Sequence, residues 1–248
     1  MGKILMKGNE AIGEAAIRAG CLNYFAYPIT PQSEVAEYLS RRMPEVGGVF
    51  LQGESEVAVG YMLFGAAGCG ARVFTTSSSP GISLMSEAIS YISSAELPVV
   101  FVNIVRGGPG LGGILPSQAD YFQATKGGGH GDYRLLVLAP AGVQESVDMV
   151  MMAFPLAEKY RNPVMILGDG LIGQMMEPVE FSDQLKSEPS NKDDWATSGM
   201  DTRNRRERNL VKSLFLDAEL LEEHNLVLKA KYDRMTQEEI RYEPCLLY

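Results

Sequence analysis

Cysteine is scarce in this chain: 3 among 248 residues, at positions 21, 69 and 245, with no CxxC pair. Zinc and iron–sulfur sites need clustered ligands, so a self-contained centre of either kind is excluded. So few thiols also suit a reducing compartment. Histidine is scarcer still, with His130 and His224 alone. A Ser–His–Asp triad would have to draw on His130, and no GxSxG elbow exists to carry the nucleophile. Positive charge is in deficit, 22 Lys and Arg against 31 Asp and Glu, a net charge of −9. A nucleic-acid binder would show a basic face instead. No apolar run approaches the roughly 18 residues of a membrane span. The start, Met1-Gly2-Lys3-Ile4-Leu5-Met6-Lys7, turns polar too soon for a signal peptide, and Met6 breaks the myristoylation pattern. These absences describe a soluble cytoplasmic protein with neither nucleic acid nor membrane as partner.

What is present suits a globular domain. Hydrophobic residues make up 46% and charged residues 21%, and the length fits one large domain or one domain plus a tail. Asn9 is placed to cap a helix from Glu10 to Ala19, with Gly20 as its stop. Leu22 to Tyr27 reads as a short buried strand ending in Tyr27-Pro28-Ile29-Thr30-Pro31. The two prolines hold Ile-Thr extended and remove two backbone donors. The next helix carries Val35, Ala36, Leu39 and Met43 on one face and stops before Pro44. A second strand, Val49 to Gln52, feeds a helix with Glu56 in its first turn. A third, Arg72 to Thr76, runs into Ser77-Ser78-Ser79-Pro80-Gly81 and a helix from Ile82 to about Ala95. Leu97 to Val105 is a fourth strand, followed by a Gly-rich stretch from Arg106 to Asp132. Leu135–Ala139, a helix from Val143 to about Arg161, and Pro163–Gly168 complete the pattern. Continuous apolar strands alternating with helices predict an α/β fold: a mostly parallel, doubly wound sheet, covered on both faces in three layers.

Beyond residue 182 the character changes. Asp183 to Asp201 is polar. Thr202 to about Tyr232 is charged, with Leu210, Val211, Leu214, Phe215, Ala218 and Leu221 at helical spacing. The expected organisation is therefore a domain over 1–182 and, over 183–248, a linker with an amphipathic helical tail.

Ligands of such sheets sit outside the carboxyl ends of the strands. Thr30, Glu56, the Ser77–Ser79 run and Arg106 all lie just past a strand's end. A helix N-terminus favours a charged Glu56, while burial beside Val57, Ala58 and Val59 favours the neutral acid. A carboxyl under both influences is suited to sharing a proton with a basic partner. The simpler alternative is that Glu54 and Glu56 only complement the helix dipole. Arg106 offers a forked, always-charged donor for a carboxylate or phosphate, against the plain alternative of a surface arginine. Thr30 presents one hydroxyl in a fixed direction, unless it serves only β-propensity. The serines suit capping. Gly108-Pro109-Gly110-Leu111-Gly112-Gly113 matches GxGxxG, but three features oppose a dinucleotide loop. Pro116 and Ser117 interrupt the helix it needs, the unit follows the fourth strand rather than the first, and Asp132, roughly 20 residues on, precedes the next strand instead of following it. A tightly folded or flexible loop is the better reading, with His130 structural and His224 solvated.

Taken together, these segments resemble the α subunit of 2-oxoacid:ferredoxin oxidoreductases. The resemblance rests on Lys7-Gly8-Asn9-Glu10-Ala11, Tyr27-Pro28-Ile29-Thr30-Pro31, Glu54-Ser55-Glu56, Thr75-Thr76-Ser77-Ser78-Ser79-Pro80-Gly81, Arg106–Gly113, Gln118-Ala119-Asp120-Tyr121 and Gly168-Asp169-Gly170, in that order. It looks most like the branched-chain (2-oxoisovalerate) type, with the 2-oxoglutarate type next. The resemblance implies the pyrimidine-binding half of a thiamine diphosphate site. Glu56 matches the acid that hydrogen-bonds the aminopyrimidine, with Tyr27, Pro28 and Ser78 as further cofactor contacts. Thr30 and Arg106 match residues that face the substrate carboxylate. The implied reaction is oxidative decarboxylation of a 2-oxoacid to acyl-CoA and CO2, with electrons passing to ferredoxin. Magnesium, the diphosphate site and iron–sulfur clusters are expected on partners: a β subunit, and γ and ferredoxin-like subunits. Dimerisation through this domain is expected too. Such subunits usually continue into a further small α/β domain, expected to be absent here because the chain ends at Tyr248. The rival from another class is a non-catalytic scaffold or regulatory domain that keeps the fold.

Overall fold

The computed structural model describes residues 2–183, 187–199 and 208–242. Its centre is a six-stranded sheet built from β2 (Asn23–Ala26), β3 (Val49–Gln52), β4 (Val73–Ser77), β5 (Val100–Val105), β6 (Leu136–Leu138) and β7 (Val164–Asp169), in the order β3-β2-β4-β5-β7-β6. Every pairing is parallel. β4 and β5 are buried at every position, as strands covered on both faces must be. β3 is an edge strand and largely exposed.

Register decides which face each side chain meets. Tyr24, Phe74 and Val100 align across β2, β4 and β5. Tyr24 packs on Phe74 at 4.8 Å between ring centroids, and Phe74 meets Phe154 of α7 (Val143–Tyr160) edge-on. α1 (Gly8–Arg18) and α2 (Ser33–Glu45) complete that layer with α7. On the opposite face Phe25, Phe101 and Met165 join Val59 and Leu63 of α3 (Glu56–Gly68), Ile82 of α4 (Ser79–Leu84) and Ile89 and Ile92 of α5 (Ser86–Ser94) in one apolar cluster. Gly60 permits the close crossing of α3 and α5, since a Cβ there would lie 2.5 Å from that of Ala88.

Several expectations need correction. α2 runs through Pro44 rather than stopping before it. Met43, fully buried, holds that last turn despite the missing donor. The helix expected from Ile82 divides at Met85 into α4 and α5. Asn9 lies inside α1, which begins at Gly8, so it does not cap. β1 (Ile4–Lys7) pairs antiparallel with β8 (Met176–Val179), a small second sheet between segments remote in sequence. Two short helices also escaped the periodicity, α6 (Tyr121–Lys126) and α8 (Gly170–Gln174).

The first compact unit extends to Lys212. An ion cluster ties residues 187–199 to it. Arg72 donates to both oxygens of Glu158, at 3.0 and 2.8 Å, and Lys192 donates to Glu158 at 3.0 Å. The Ser190 N–H reaches the same carboxylate at 3.0 Å. Arg161 lies 4.6 Å over the Trp195 ring. The second unit, from Ser213, holds α9 (Ala218–Glu239), capped by the Asp217 carboxylate at the Glu219 and Leu220 amides. The helix therefore starts well after the expected Thr202. Residues 200–207 lie outside the described residues, and Leu210 and Leu214 are exposed in non-helical chain. His224 stacks on Phe215 at 4.5 Å rather than standing free in solvent.

Burial alone would raise the Glu158 carboxyl, but Arg72, the Ser190 amide and Lys192 outweigh it and hold the group below its ordinary value. Its stabilising contribution is complete above the ordinary carboxylate pKa and disappears as pH falls through the lowered one. Glu158→Gln leaves two buried cations without their counter-charge, at a cost of about 3–5 kcal/mol at neutral pH. Urea unfolding of variant and parent checks this, and the gap between them should narrow in acid. A gap of equal size in acid would rule the argument out.

Candidate functional site

The rim at the carboxyl ends of β2, β3, β4 and β5 gathers the candidate residues. Gly53 ends β3's run, and Ser55 caps α3 by accepting from the Ala58 amide at 3.2 Å. That turn puts Glu56 on the inward face, 6% exposed, while neighbouring Glu54 is exposed. The Glu56 carboxylate rests against Gly81: a Cβ on Gly81 would lie 2.8 Å from Glu56 Oε1 and 2.1 Å from Ser77 Oγ. Only glycine leaves that space open. Among the described residues no hydrogen bond satisfies the Glu56 side chain, and the buried hydroxyls of Ser77 and Ser78 lack partners as well. Two buried hydroxyls without partners, beside the Glu56 carboxylate and a cradle of missing side-chain volume, suit a polar ligand.

The expected capping by the serines does not occur. Ser78 occupies the N-cap position of α4 without a side-chain hydrogen bond. Ser79 instead ties β4's end to β5's: its hydroxyl donates to the Arg106 carbonyl at 3.3 Å and accepts from the Arg106 amide at 3.1 Å. Asn103, wholly buried in β5, accepts from the Ser79 amide at 3.0 Å and donates to Asp120 at 2.8 Å. The Gly81 amide donates to Ser78 O at 2.7 Å. Glu56 is thereby linked to Arg106 through one short stretch of backbone.

Arg106 is not a surface arginine: it is 7% exposed. Its guanidinium donates to Thr30 O at 2.9 Å and to Leu111 O at 3.2 Å, and its Nε is buried without a partner. Two of its five N–H groups therefore hold two loops together, and Nε is the guanidinium nitrogen left without a partner. Thr30 is exposed, with no partner for its hydroxyl among the described residues. Tyr27 packs on the core cluster, and Pro28 is exposed on the same loop. The Gly-rich stretch folds tightly on itself. Gly113 N donates to Gly107 O at 2.9 Å and Gly107 N to Leu115 O at 3.0 Å. A Cβ on Gly112 would lie 1.8 Å from Gly107 O. The first helix after it, α6, begins only at Tyr121, so the glycines do not open a helix as a dinucleotide loop requires.

His130 lies outside this group, edge-on to Tyr91 at 6.2 Å, with its carbonyl accepting from Ser90. A cleft of about 250 Å³ continues along the rim past β5, β6 and β7, lined by Val105, Tyr121, Leu167, Asp169 and Ile172 but by none of the candidates. Among the described residues no group of three His, Cys, Asp or Glu side chains could hold a metal, and no helix is long and apolar enough to cross a membrane. Sequence reasoning missed Asn103 and Gln32. Asn103 had left a signal, a polar residue inside the apolar run Val102-Asn103-Ile104.

If Arg106 clamps the two loops, Arg106→Lys loses one of them, because an ammonium cannot span the fork. Hydrogen exchange at the Gly107 and Gly113 amides should then accelerate about tenfold, the size of one net hydrogen bond. Mass spectrometry of the intact chain reads this, and parental protection in the variant would dismiss the clamp.

The comparisons with known proteins agree with this geometry. The family model for the thiamine diphosphate-binding region of pyruvate flavodoxin/ferredoxin oxidoreductase matches residues 14–232. The chain is 51% identical over 98% of its length to the ketoisovalerate oxidoreductase subunit VorB of Methanothermobacter thermautotrophicus, and spans 68% of that protein. It is 45% identical to the 2-oxoglutarate synthase subunit KorA of Archaeoglobus fulgidus, over 71% of this chain and 51% of that one. A structure of the 2-oxoglutarate:ferredoxin oxidoreductase from Magnetococcus marinus, with 2-oxoglutarate, coenzyme A and succinyl-CoA bound, superposes with a TM-score of 0.83 at 28% identity. That match covers 97% of this chain and 46% of the other. The chain thus spans about half to two thirds of these relatives. It belongs to the thiamine diphosphate-binding α-subunit family of the 2-oxoacid:ferredoxin oxidoreductases.

Proposed function

We propose that this chain supplies the pyrimidine-facing half of the cofactor site in an enzyme that converts a branched-chain 2-oxoacid, of the 2-oxoisovalerate kind, to acyl-CoA and CO2 while reducing ferredoxin. The observation that carries the proposal is Glu56: a carboxylate 6% exposed, without a hydrogen bond, beside a cradle that only Gly81 keeps open. That environment fits a planar heterocycle whose ring nitrogen hydrogen-bonds the carboxyl. Thiamine diphosphate, when bound, supplies the nucleophilic carbon and electron sink of the decarboxylation. Glu56 holds or moves a proton at the ring nitrogen. The Ser78 hydroxyl, buried and unpartnered, offers a second polar contact, and Tyr27 and Pro28 would add contacts from the loop that carries Thr30. Thr30 Oγ1 and Arg106 Nε are the donors for the substrate carboxylate.

The branched-chain assignment draws on the ketoisovalerate relative, similar over 98% of this chain, against 71% for the 2-oxoglutarate relative from Archaeoglobus. The diphosphate, its magnesium and the iron–sulfur clusters would lie on partner subunits, as would the path to ferredoxin. Assembly with a β subunit, with γ and ferredoxin-like subunits, and with a second copy through this domain, in the cytoplasm, completes the proposal.

Glu56→Gln preserves shape, so folding and assembly should survive. Glutamine can hydrogen-bond the ring nitrogen but cannot exchange a proton with it. Exchange of the cofactor's C2 hydrogen for deuterium, in the complex with the β subunit, should slow roughly 10²- to 10⁴-fold, or about 3–5 kcal/mol in the barrier. Glu54→Gln, exposed on the same helix end, should exchange like the parent. Parental exchange in Glu56→Gln, or slow exchange in Glu54→Gln, would remove Glu56 from its role. No exchange in the parent complex would favour the scaffold reading.

A further inference from the structure

The loop carrying Thr30 has an unusual hydrogen-bonding problem. Pro28 and Pro31 lack N–H groups, so the segment cannot be paired as a strand, yet its carbonyls must find donors. Four of the five, those of Tyr27, Ile29, Thr30 and Pro31, find them. Arg106 reaches Thr30 O, and Asn9 of α1 reaches Pro31 O at 2.9 Å. Gln32 supplies two donors: its amide to Ile29 O at 3.1 Å and its side-chain Nε2 to Tyr27 O at 3.2 Å.

Behind Gln32 lies a polar chain that the cofactor and substrate contacts do not use. Thr76 Oγ1 donates to Gln32 Oε1 at 2.5 Å. With its hydrogen so committed, Thr76 accepts from Tyr24 OH at 2.7 Å. Gln32, Thr76 and Tyr24 are each 0% exposed. The directions are therefore forced: Tyr24 to Thr76, Thr76 to Gln32, and Gln32 to the Tyr27 carbonyl. The same sequence of bonds fixes which end of the Gln32 amide faces the loop. Tyr24 is itself immobilised between Phe50 and Phe74, at 5.7 and 4.8 Å. Burial pushes its phenol well above the ordinary range, so it remains a donor. Aligned hydrogen bonds out of contact with water strengthen one another.

We infer that Tyr24, Thr76 and Gln32 form a buried brace from the aromatic core to the proline-flanked loop, and that these positioning residues set where Thr30 meets the substrate carboxylate. The inference deepens the proposed function and rests on it for the role of Thr30. The brace itself is independent of any ligand.

Thr76→Val keeps the shape of the side chain and breaks the chain at its middle. Thr76→Ser restores the hydroxyl, and Tyr24→Phe removes only the far end. In the full chain without ligands, deuterium exchange at the Ile29, Thr30 and Gln32 amides should rise about fivefold to tenfold in Thr76→Val. The rise should be smaller in Tyr24→Phe and absent in Thr76→Ser, with sheet amides unchanged. In the complex with the β subunit, the KM for 2-oxoisovalerate should rise by a similar factor in Thr76→Val. C2 exchange of thiamine diphosphate, which needs no 2-oxoacid, should change by a smaller factor than KM, because Glu56 lies outside the braced loop. Parental exchange at the loop in both Thr76→Val and Tyr24→Phe would overturn the brace, as would a rise spread evenly over the sheet. A raised loop exchange with unchanged KM would leave the brace standing and overturn Thr30 as the substrate contact. Loss of C2 exchange in the parent would instead overturn the proposed function.

Discussion

Five consecutive carbonyls with only three backbone amides, from Tyr27 to Pro31, set the constraint on which the site depends. A buried or half-buried carbonyl without a donor is costly, so α1, α2 and the end of β5 must all present side chains to this one loop. Asn9, Gln32 and Arg106 do so. Each donor arrives from an element whose position is set by the sheet, and the loop can keep its shape only if all are in place. The prolines make this segment rigid in its dihedrals and dependent on the rest of the molecule for its hydrogen bonds.

The same economy of few partners marks the rim around Gly81, with the opposite sense. Around the loop the carbonyls of Tyr27, Ile29, Thr30 and Pro31 are each met by a donor. Around Gly81, beside the Glu56 carboxylate, the buried hydroxyls of Ser77 and Ser78 are left without partners. A folded chain tolerates such groups where a ligand completes them. The two regions are joined by Ser79 and Asn103, which lock the end of β4 to the end of β5. The groups around Gly81 and Arg106 are thus held to one another across two neighbouring strand ends.

Arg106 illustrates why residue type alone misleads. As a forked cation past a strand's end, it reads as an anion anchor. In the fold, one N–H on each terminal nitrogen serves a protein carbonyl, and Nε is buried without a partner. A single substitution there would therefore disturb two loops at once, along with the group left open at Nε.

Strand and helix content was legible because buried parallel strands are continuous apolar runs and the helices between them carry a periodic face. All six parallel strands were readable within a few residues, as were Glu56, Thr30 and Arg106 as rim residues, because strand ends can be located along the chain. The motifs also identified the family before any coordinate did. What local pattern could not supply was whatever depends on residues distant in sequence. The pairing of β1 with β8, the persistence of α2 through Pro44, and the docking of residues 187–199 on Glu158 all arise from contacts across the fold. The apolar spacing from Leu210 suggested a helix, but a helix also needs a start, and the side chain that caps one is Asp217. By itself the sequence determined the parallel sheet, the rim and the chemical types of the site residues, since these follow from periodicity and from which side chains can carry charge or a proton. Only the tertiary structure decided which of their hydrogen-bonding groups are satisfied and which are left for a ligand, because that count depends on donors and acceptors brought together from separate elements.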